Sequence, residues 1–366
     1  MQMKKKYLAA LALGTLLAVI VAAGCGGSTS SSSTSSSSPG TSGNKEVNLL
    51  TWGGTMQQTF KEQGWTDKFE QETGYKLILT SKDTSAQMVA QVTAQKGDPQ
   101  YDVIVCSEGP LSLAADQGLF ATLDESAIPN MADLVPGASH GNYVDVYADC
   151  AALLYNPDYF QKNGLAAPNS WADLLNPRFK GKVMVSAIGV TTGLFTFLEM
   201  ANLGGGDINN IAPAWPKMKQ LASQVSTWPD NQTPFEQGFH SGETVIAALS
   251  WTDGNTMVRK GLPVALVIPK EGSYADTAAG AIIENAPNPE GAQVLMNFLI
   301  SEGFLKNQTD TYGKGSFNSK VVADPAASKY TLTVDMVSKL KQVDWKTSYE
   351  QLPTWTTQWD QITAGS

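Results

Sequence analysis

Short blocks of alternating or continuous apolar residues follow one another along the chain and predict strands that alternate with helices. Residues 47–52 are largely apolar and end at two glycines, which predicts a strand. Residues 56–73 then carry aromatic side chains near helical spacing and end at Gly74, which predicts a helix. Further strands are predicted at 75–80 and at 102–106, the second being the continuous apolar run typical of a sheet covered on both faces.

The same succession of elements resumes in the second half of the chain. Strands are predicted at 147–156, 182–185, 245–250, 264–268 and 281–283, and helices at 171–175, 194–203 and 292–300. This order predicts an α/β fold with an open, mostly parallel sheet. In such sheets ligands bind beyond the carboxyl ends of the strands, so the residues that follow predicted strands are the candidate binding residues.

The first residues have the pattern of a secretory signal. Three lysines at 4–6 precede an apolar run over 7–23, and small residues then lead to Cys25. The run is short for a membrane-spanning helix, which needs about 20 residues. The cleavage region resembles that of bacterial lipoproteins, although Ala22 stands where leucine is usual. We therefore expect residues 1–24 to be a lipoprotein signal peptide and Cys25 to carry lipid, with an ordinary cleaved signal or an uncleaved anchor as alternatives.

A low-complexity segment separates Cys25 from the body of the protein. Residues 28–43 are almost all serine, threonine, glycine and proline, a composition that cannot bury a core and stays flexible. A flexible segment of this length has a reach of about 20–25 Å. Residues 25–45 are therefore expected to form a lipidated cysteine followed by a Ser-rich tether.

Composition and motifs exclude several classes of protein. The net charge of −9 argues against nucleic-acid binding, which needs a basic surface. With two histidines and three scattered cysteines, a Ser-His-Asp triad, a His-metal cluster and a zinc ribbon are all disfavoured. Nucleotide-binding and metalloprotease motifs are missing from the sequence. We expect no enzyme activity, cofactor or metal, and a secreted hydrolase with paired carboxylates such as Asp124 and Glu125 is the rival class.

Several strand ends carry side chains suited to a polar organic molecule. Trp52 lies at the end of one predicted strand, and Trp251 and Asp253 follow another. An indole face beside a carboxylate suits an amine, through cation–π attraction and a charge-assisted hydrogen bond. Residues 186–193, which include Thr191, precede an apolar helix and offer hydroxyl and N–H groups that favour an anion. A core position remains the alternative for either tryptophan.

An ordered series of motifs resembles a known family. The series is LTWGG (50–54), WTDKFEQETGYKL (65–77), DVIVCS (102–107), NSWADLLNPRFKGK (169–182), IPKEG (268–272), NPEGA (288–292) and NFLI (297–300). Over about residues 47–320 the chain resembles the extracellular solute-binding proteins of bacterial ABC importers, in the group that contains spermidine/putrescine-binding proteins.

The resemblance implies a periplasmic-binding-protein-like (type II) fold. Two α/β lobes, each built from separate chain segments, would hold a ligand in the cleft between them and close about a hinge. On this reading lobe 1 comprises 46–153 and 254–310, and lobe 2 comprises 154–253 and 311–366.

The resemblance also implies binding residues. By position, Trp52, Ser107, Trp251 and Asp253 match ligand-contacting places in polyamine-binding members. Thr55 and Gly109 fall where those members have aromatic residues, Lys314 falls near another such place, and no acid stands in 186–193 where they have one. Further cleft candidates are Tyr147, Asp149, Trp228, Tyr274 and Asp276.

These matches imply a substrate-binding component of an ABC importer that takes a polyamine-like or other amine-containing solute. The missing acid and the presence of Lys314 leave an organic anion, a carboxylate or phosphonate, as the alternative. The implied partners are a membrane permease and its ATPase, with the protein monomeric and lipid-anchored in the cell envelope outside the cytoplasm. A sensor or adhesion lipoprotein is a further alternative. Cys106 and Cys150 are interpreted as two buried thiols, with a disulfide as the alternative.

Overall fold

A computed structural model describes residues 45–327 and 330–364. The expected signal peptide, Cys25 and nearly all of the Ser-rich tether lie outside the described residues. Among the described residues the strands are β1 (Glu46–Trp52), β2 (Lys76–Lys82), β3 (Val103–Ser107), β4 (Val144–Tyr155), β5 (Val183–Val185), β6 (Val225–Thr227), β7 (Ile246–Ser250), β8 (Ala265–Val267), β9 (Ala275–Ile282) and β10 (Gly315–Ser316).

The α-helices of the described residues surround these strands. They are α1 (Gly54–Gln57), α2 (Trp65–Thr73), α3 (Ser85–Ala94), α4 (Glu108–Ala115), α5 (Pro157–Lys162), α6 (Thr191–Leu203), α7 (Ala214–Ala222), α8 (Thr233–Ser241), α9 (Trp251–Arg259), α10 (Pro289–Leu299), α11 (Glu302–Tyr312), α12 (Val334–Val337) and α13 (Trp345–Thr363). Segments Trp171–Leu175 and Pro177–Phe179 form 3₁₀ turns.

The strands form one mixed sheet in the order β2-β1-β3-β9-β4-β7-β5-β6, with β8 and β10 pairing with β4 off this path. The pairs β1–β2, β1–β3, β5–β6 and β5–β7 are parallel. All pairs that involve β4 or β9 are antiparallel. The prediction of a mostly parallel sheet is therefore wrong at the centre, because β4 and β9 run against the strands on either side.

Strand β4 belongs to both halves of the sheet. Its first part, Val144 to Cys150, pairs with β9, and its second part, Ala151 to Tyr155, pairs with β7 and β8. Two α/β lobes therefore meet along one continuous strand, and the predicted two-lobe fold is confirmed. The change of partner occurs between Cys150 and Ala151, and this junction between the lobes is termed the hinge.

Each lobe has an apolar core on both faces of its part of the sheet. In the first lobe Leu49 and Leu50 point to opposite faces, and each packs in a separate buried cluster. In the second lobe α6 is almost wholly buried, and three tryptophans of α13 pack in the same cluster. Cys106 and Cys150 are buried free thiols. Within the described residues, no helix combines the length and the apolar character needed to cross a bilayer.

Two elements differ from the prediction for local reasons. The single helix predicted over 56–73 is divided at Gly64, whose φ of 75° interrupts the helical backbone before α2 begins. The strand predicted at 281–283 is β9, which begins six residues earlier. The early part of β9 consists mostly of alanine and other small or polar residues rather than large apolar ones, so its pattern does not indicate a strand.

Candidate functional site

Three carboxylates meet where the two lobes join. Asp149 on β4 and Asp276 on β9 are directly opposite each other in the ladder, so their side chains leave the same face of the sheet. Asp253 lies in the first turn of α9, immediately beyond the end of β7. Because Ser250 at that end pairs with Ala151, the start of α9 is held beside the hinge.

Hydrogen bonds hold these acids in place, but they only partly offset the rise in carboxyl pKa that burial causes. One oxygen of Asp149 accepts from the backbone N–H groups of Cys150 and Thr252, at 2.8 and 3.1 Å. Burial raises the pKa of Asp149 despite these bonds. Burial and the negative charge of Asp149 raise the pKa values of Asp253 and Asp276 to about 7. Near neutral pH this group of acids is poised to take up protons or another positive charge.

A cavity of about 230 Å³ opens beside these acids. Its lining includes all three carboxylates together with Asp230 and Thr191, and within the described part of the chain no Lys, Arg or His lines it. Thr191 is the first residue of α6, so the start of that helix borders the cavity. The arrangement is a small polar chamber with excess negative charge, which suits a cationic group.

Lys314 directly precedes β10, which pairs with β4, and is almost fully buried. Its Nζ donates to Gln308 Oε1 at 2.9 Å and to Thr55 Oγ1 at 3.2 Å, and it lies 4.0 Å from the ring centroid of Tyr147. Burial lowers the pKa of Lys314 to about 7, although the charge of Asp149 acts in the opposite direction. The structure therefore brings Thr55 and Lys314 together, as two neighbouring groups of the expected site.

Trp52 and Ser107 meet through a residue that the sequence did not nominate. Ser85 Oγ accepts from Trp52 Nε1 and from the Ser107 backbone N–H, each at 3.2 Å, and donates to Ser107 Oγ at 3.2 Å.

One residue or pair from each group lies on the same face of the sheet: Ser107, Tyr147, which contacts Lys314, and the pair Asp149–Asp276. Ser107 is opposite Ala278 on β9, and Ala278 is opposite Tyr147 on β4, so these residues form a row across three strands. Asp276 and Asp149 form the next row on that face, because residues two apart in a strand point the same way.

Two expected site residues lie elsewhere. Trp251 is 6% exposed, packs in a buried apolar cluster and donates from Nε1 to the backbone oxygen of Tyr330 at 2.9 Å. Tyr274 accepts from Asn202 Nδ2 at 3.2 Å, and its ring packs on Phe195. Neither residue lines the cavity beside the three carboxylates.

The loop before α8 supplies cavity residues that the sequence did not indicate. Asp230, Asn231 and Gln232 follow β6 and line the cavity. Residues that follow strand ends are candidate binding residues, so these three would have been selected if β6 had been predicted. Strand β6 has only three residues and two of them are exposed, so it has no apolar run that indicates a strand. Trp228, a further candidate, packs edge-on against Trp359 of α13.

Comparison with known proteins identifies the family. Residues 64–333 match the family described as bacterial extracellular solute-binding protein. The chain belongs to this family. It is therefore a solute-binding protein that acts outside the cytoplasm, in keeping with the two-lobe fold and the chamber at the hinge.

Individual relatives are similar to the chain in sequence, and solved structures are similar to it in fold. The chain is 26% identical over 294 residues to the spermidine/putrescine-binding periplasmic protein of Escherichia coli, covering 77% of this chain and 82% of the relative. A crystal structure of an ABC transporter from Clostridium perfringens matches with a TM-score of 0.73 and 23% identity, over 87% of this chain and 99% of that one. The spermidine/putrescine substrate-binding protein PotD of Streptococcus pneumoniae matches with a TM-score of 0.71 and 16% identity, over 86% and 99%.

Proposed function

We propose that this solute-binding protein captures a small polar solute through a protonated amine. The observation that carries the proposal is the meeting of Asp149, Asp253 and Asp276 around one chamber that has no basic residue in its described lining. Three acids this close repel one another, and a bound ammonium group relieves that repulsion while forming charge-assisted hydrogen bonds. The polyamine-binding relatives support the same class of solute.

The rest of the shared face suits the remainder of such a solute. Tyr147 offers an aromatic surface, and Ser107 and Ser85 offer hydroxyl groups two strands away. Lys314 lies beside this face, and its contacts with Gln308 and Thr55 occupy two of its three donors. A solute that has an amine at one end and a carboxylate or phosphonate at the other is therefore the second candidate, with its anionic end at Lys314.

The proposed mechanism uses the strand that the lobes share. Because Asp149 lies next to the change of partner in β4 and Asp253 lies on an element of the second lobe, an amine that contacts both acids favours the closed arrangement of the lobes. The closed form then docks on a membrane permease, whose ATPase drives import. The protein itself acts as a monomer.

Attachment to the membrane is part of the proposal. Lipid on Cys25 and the Ser-rich segment after it would keep the binding domain near the permease while leaving it free to rotate. Wild-type protein made in a bacterial host is expected to enter the detergent phase on temperature-induced phase separation, and Cys25→Ser to stay in the aqueous phase. Wild-type protein found wholly in the aqueous phase would refute the lipid anchor.

Calorimetric titration with putrescine, spermidine, γ-aminobutyrate and succinate tests the proposed solute class. We expect binding of at least one of the three amines and none of succinate. Asp253→Asn should weaken that binding at least tenfold, since a hydrogen bond to a charged group contributes about 1.5–3 kcal/mol. Asp360→Asn, the same change at an exposed position of α13, is the matched control. Tighter binding of succinate than of any amine would overturn the proposal in favour of an organic anion.

A further inference from the structure

A second cluster of titratable groups lies outside the chamber at the hinge. Glu108 is the first residue of α4, His140 lies in the loop before β4, and Asp145 lies in β4. One potential ligand atom from each residue lies within 4.8 Å of the other two. His140 Nε2 and Asp145 Oδ1 lie 3.2 Å apart.

Packing holds each of these side chains in place. Asp145 is 7% exposed, so its carboxylate is fixed in the protein rather than on a mobile surface. The ring of His140 stacks on that of Tyr143, with centroids 4.2 Å apart and planes 15° apart. Glu108 accepts a hydrogen bond of 3.4 Å from the indole of Trp345 on α13. All three side chains border a cavity of about 650 Å³, through which an ion and its water ligands have access.

The cluster places two carboxyl groups beside one imidazole. Burial raises the pKa values of both carboxyl groups, and the negative charge of Asp145 adds to the effect on Glu108. Burial alone lowers the pKa of His140, but its hydrogen bond to Asp145 and the two negative charges raise it overall. Burial raises the pKa of the neighbouring Tyr143, which is neutral at physiological pH. A divalent cation would neutralise two carboxylates beside a neutral imidazole.

We propose that Glu108, His140 and Asp145 bind one divalent transition-metal ion, and that Zn²⁺ is the ion that fits them best. Zinc takes imidazole nitrogen and carboxylate oxygen at about 2.0–2.2 Å, which places tetrahedral ligand atoms roughly 3.3–3.6 Å apart. His140 and Asp145 are already near this separation, and a rotation of the longer Glu108 side chain completes the set. Water fills the fourth position. Calcium is disfavoured because it takes six to eight oxygen ligands and the cluster offers an imidazole.

Such an ion would act beside the hinge without entering the solute chamber. Glu108 directly follows Ser107, and Asp145 lies on the shared strand, so the ion would tie α4 to β4. Zinc should therefore raise the melting temperature of the protein. This inference does not depend on the identity of the solute.

Titration of the untagged, EDTA-treated protein with ZnCl₂ in a calorimeter at about pH 7.5 tests the site. We expect one ion per chain, with affinity lowered at least tenfold in both His140→Ala and Glu108→Gln. His240→Ala removes the other histidine, on α8, and should bind as wild type does. Cobalt provides a second readout, because Co²⁺ bound to the protein should give a visible absorption that His140→Ala abolishes.

Circular dichroism of each variant in EDTA shows whether it is folded. If His140→Ala does not fold, the loss of zinc affinity in Glu108→Gln tests the proposal. Zinc binding weaker than about 1 mM, or binding that survives in folded His140→Ala, would overturn the proposal. Calcium binding as tight as zinc binding, with an affinity that His140→Ala does not change, would also overturn it, because the ligands would then be oxygen atoms alone.

Discussion

The substitution Asp276→Asn separates a binding role from a structural one, because it should stabilise the empty protein and weaken solute binding. Asp276 is directly opposite Asp149, and its pKa is raised from 3.8 to about 7 by burial and then by the charge of Asp149. A raised carboxyl pKa means that the folded state binds more protons than the unfolded state between about pH 4 and pH 7. The free energy of unfolding therefore falls as pH rises through that window.

The magnitude follows from the size of this shift. Three pKa units correspond to about 4 kcal/mol as an upper limit. Asp276 keeps part of its surface open to the chamber, so solvent reduces the cost, and we expect about 1–2 kcal/mol. Asparagine keeps the shape of the side chain and removes the charge. At about pH 8 the variant should be more stable than wild type by this amount, and the difference should vanish near pH 4.

Urea denaturation at the two pH values measures the stability, and calorimetric titration of the same preparations with putrescine or spermidine measures binding. Affinity for the amine that wild type binds should fall at least tenfold, since one charged hydrogen-bond acceptor is lost. Asp360→Asn should change neither quantity. A variant that is less stable than wild type at pH 8, or that binds the amine with unchanged affinity, would refute the reasoning.

Three further substitutions address neighbouring features. Lys314→Met removes the buried cation. It should leave the affinity for putrescine unchanged or higher and should lower tenfold the affinity for an amine that has an anionic end. Equal losses of affinity for both solutes in calorimetry would contradict the role given to Lys314. Gly109→Ala places a Cβ 2.7 Å from the Trp345 ring and should cost about 1–3 kcal/mol in urea unfolding, whereas Gly97→Ala meets nothing within 4 Å and is the control. Trp251→Ala empties a buried position and should cost about 3–5 kcal/mol; full stability by the same assay would mean that the indole is not part of the core.

Local sequence pattern predicts where most of the strands end, and therefore part of the site. The ends of β1, β3 and β7 are visible as apolar runs that stop at small or polar residues, which is why Trp52, Ser107 and Asp253 could be nominated. The same pattern cannot distinguish an indole that faces a cavity from one that packs in the core. Packing against residues distant in the chain decides that point, as it does for Trp251.

The acidic pair at the hinge depends on pairing that local pattern does not specify. Asp149 and Asp276 are distant in the sequence and become neighbours through the register of β4 against β9. Strands β4 and β9 also run antiparallel to their neighbours at the centre of the sheet. The local pattern of apolar residues carries no information on strand direction, so the sequence predicted a mostly parallel sheet. Lys314 was nominated by family position, but its contacts with Gln308 and Thr55 depend on how α11 packs on the first lobe.

A crystal structure of the complex with the amine that binds most tightly tests the proposed capture at the hinge most directly. An amine nitrogen is expected about 2.7–2.9 Å from a carboxylate oxygen of Asp149, Asp253 or Asp276. A solute bound on another face of the sheet, or one whose nitrogen contacts none of these three acids, would contradict it.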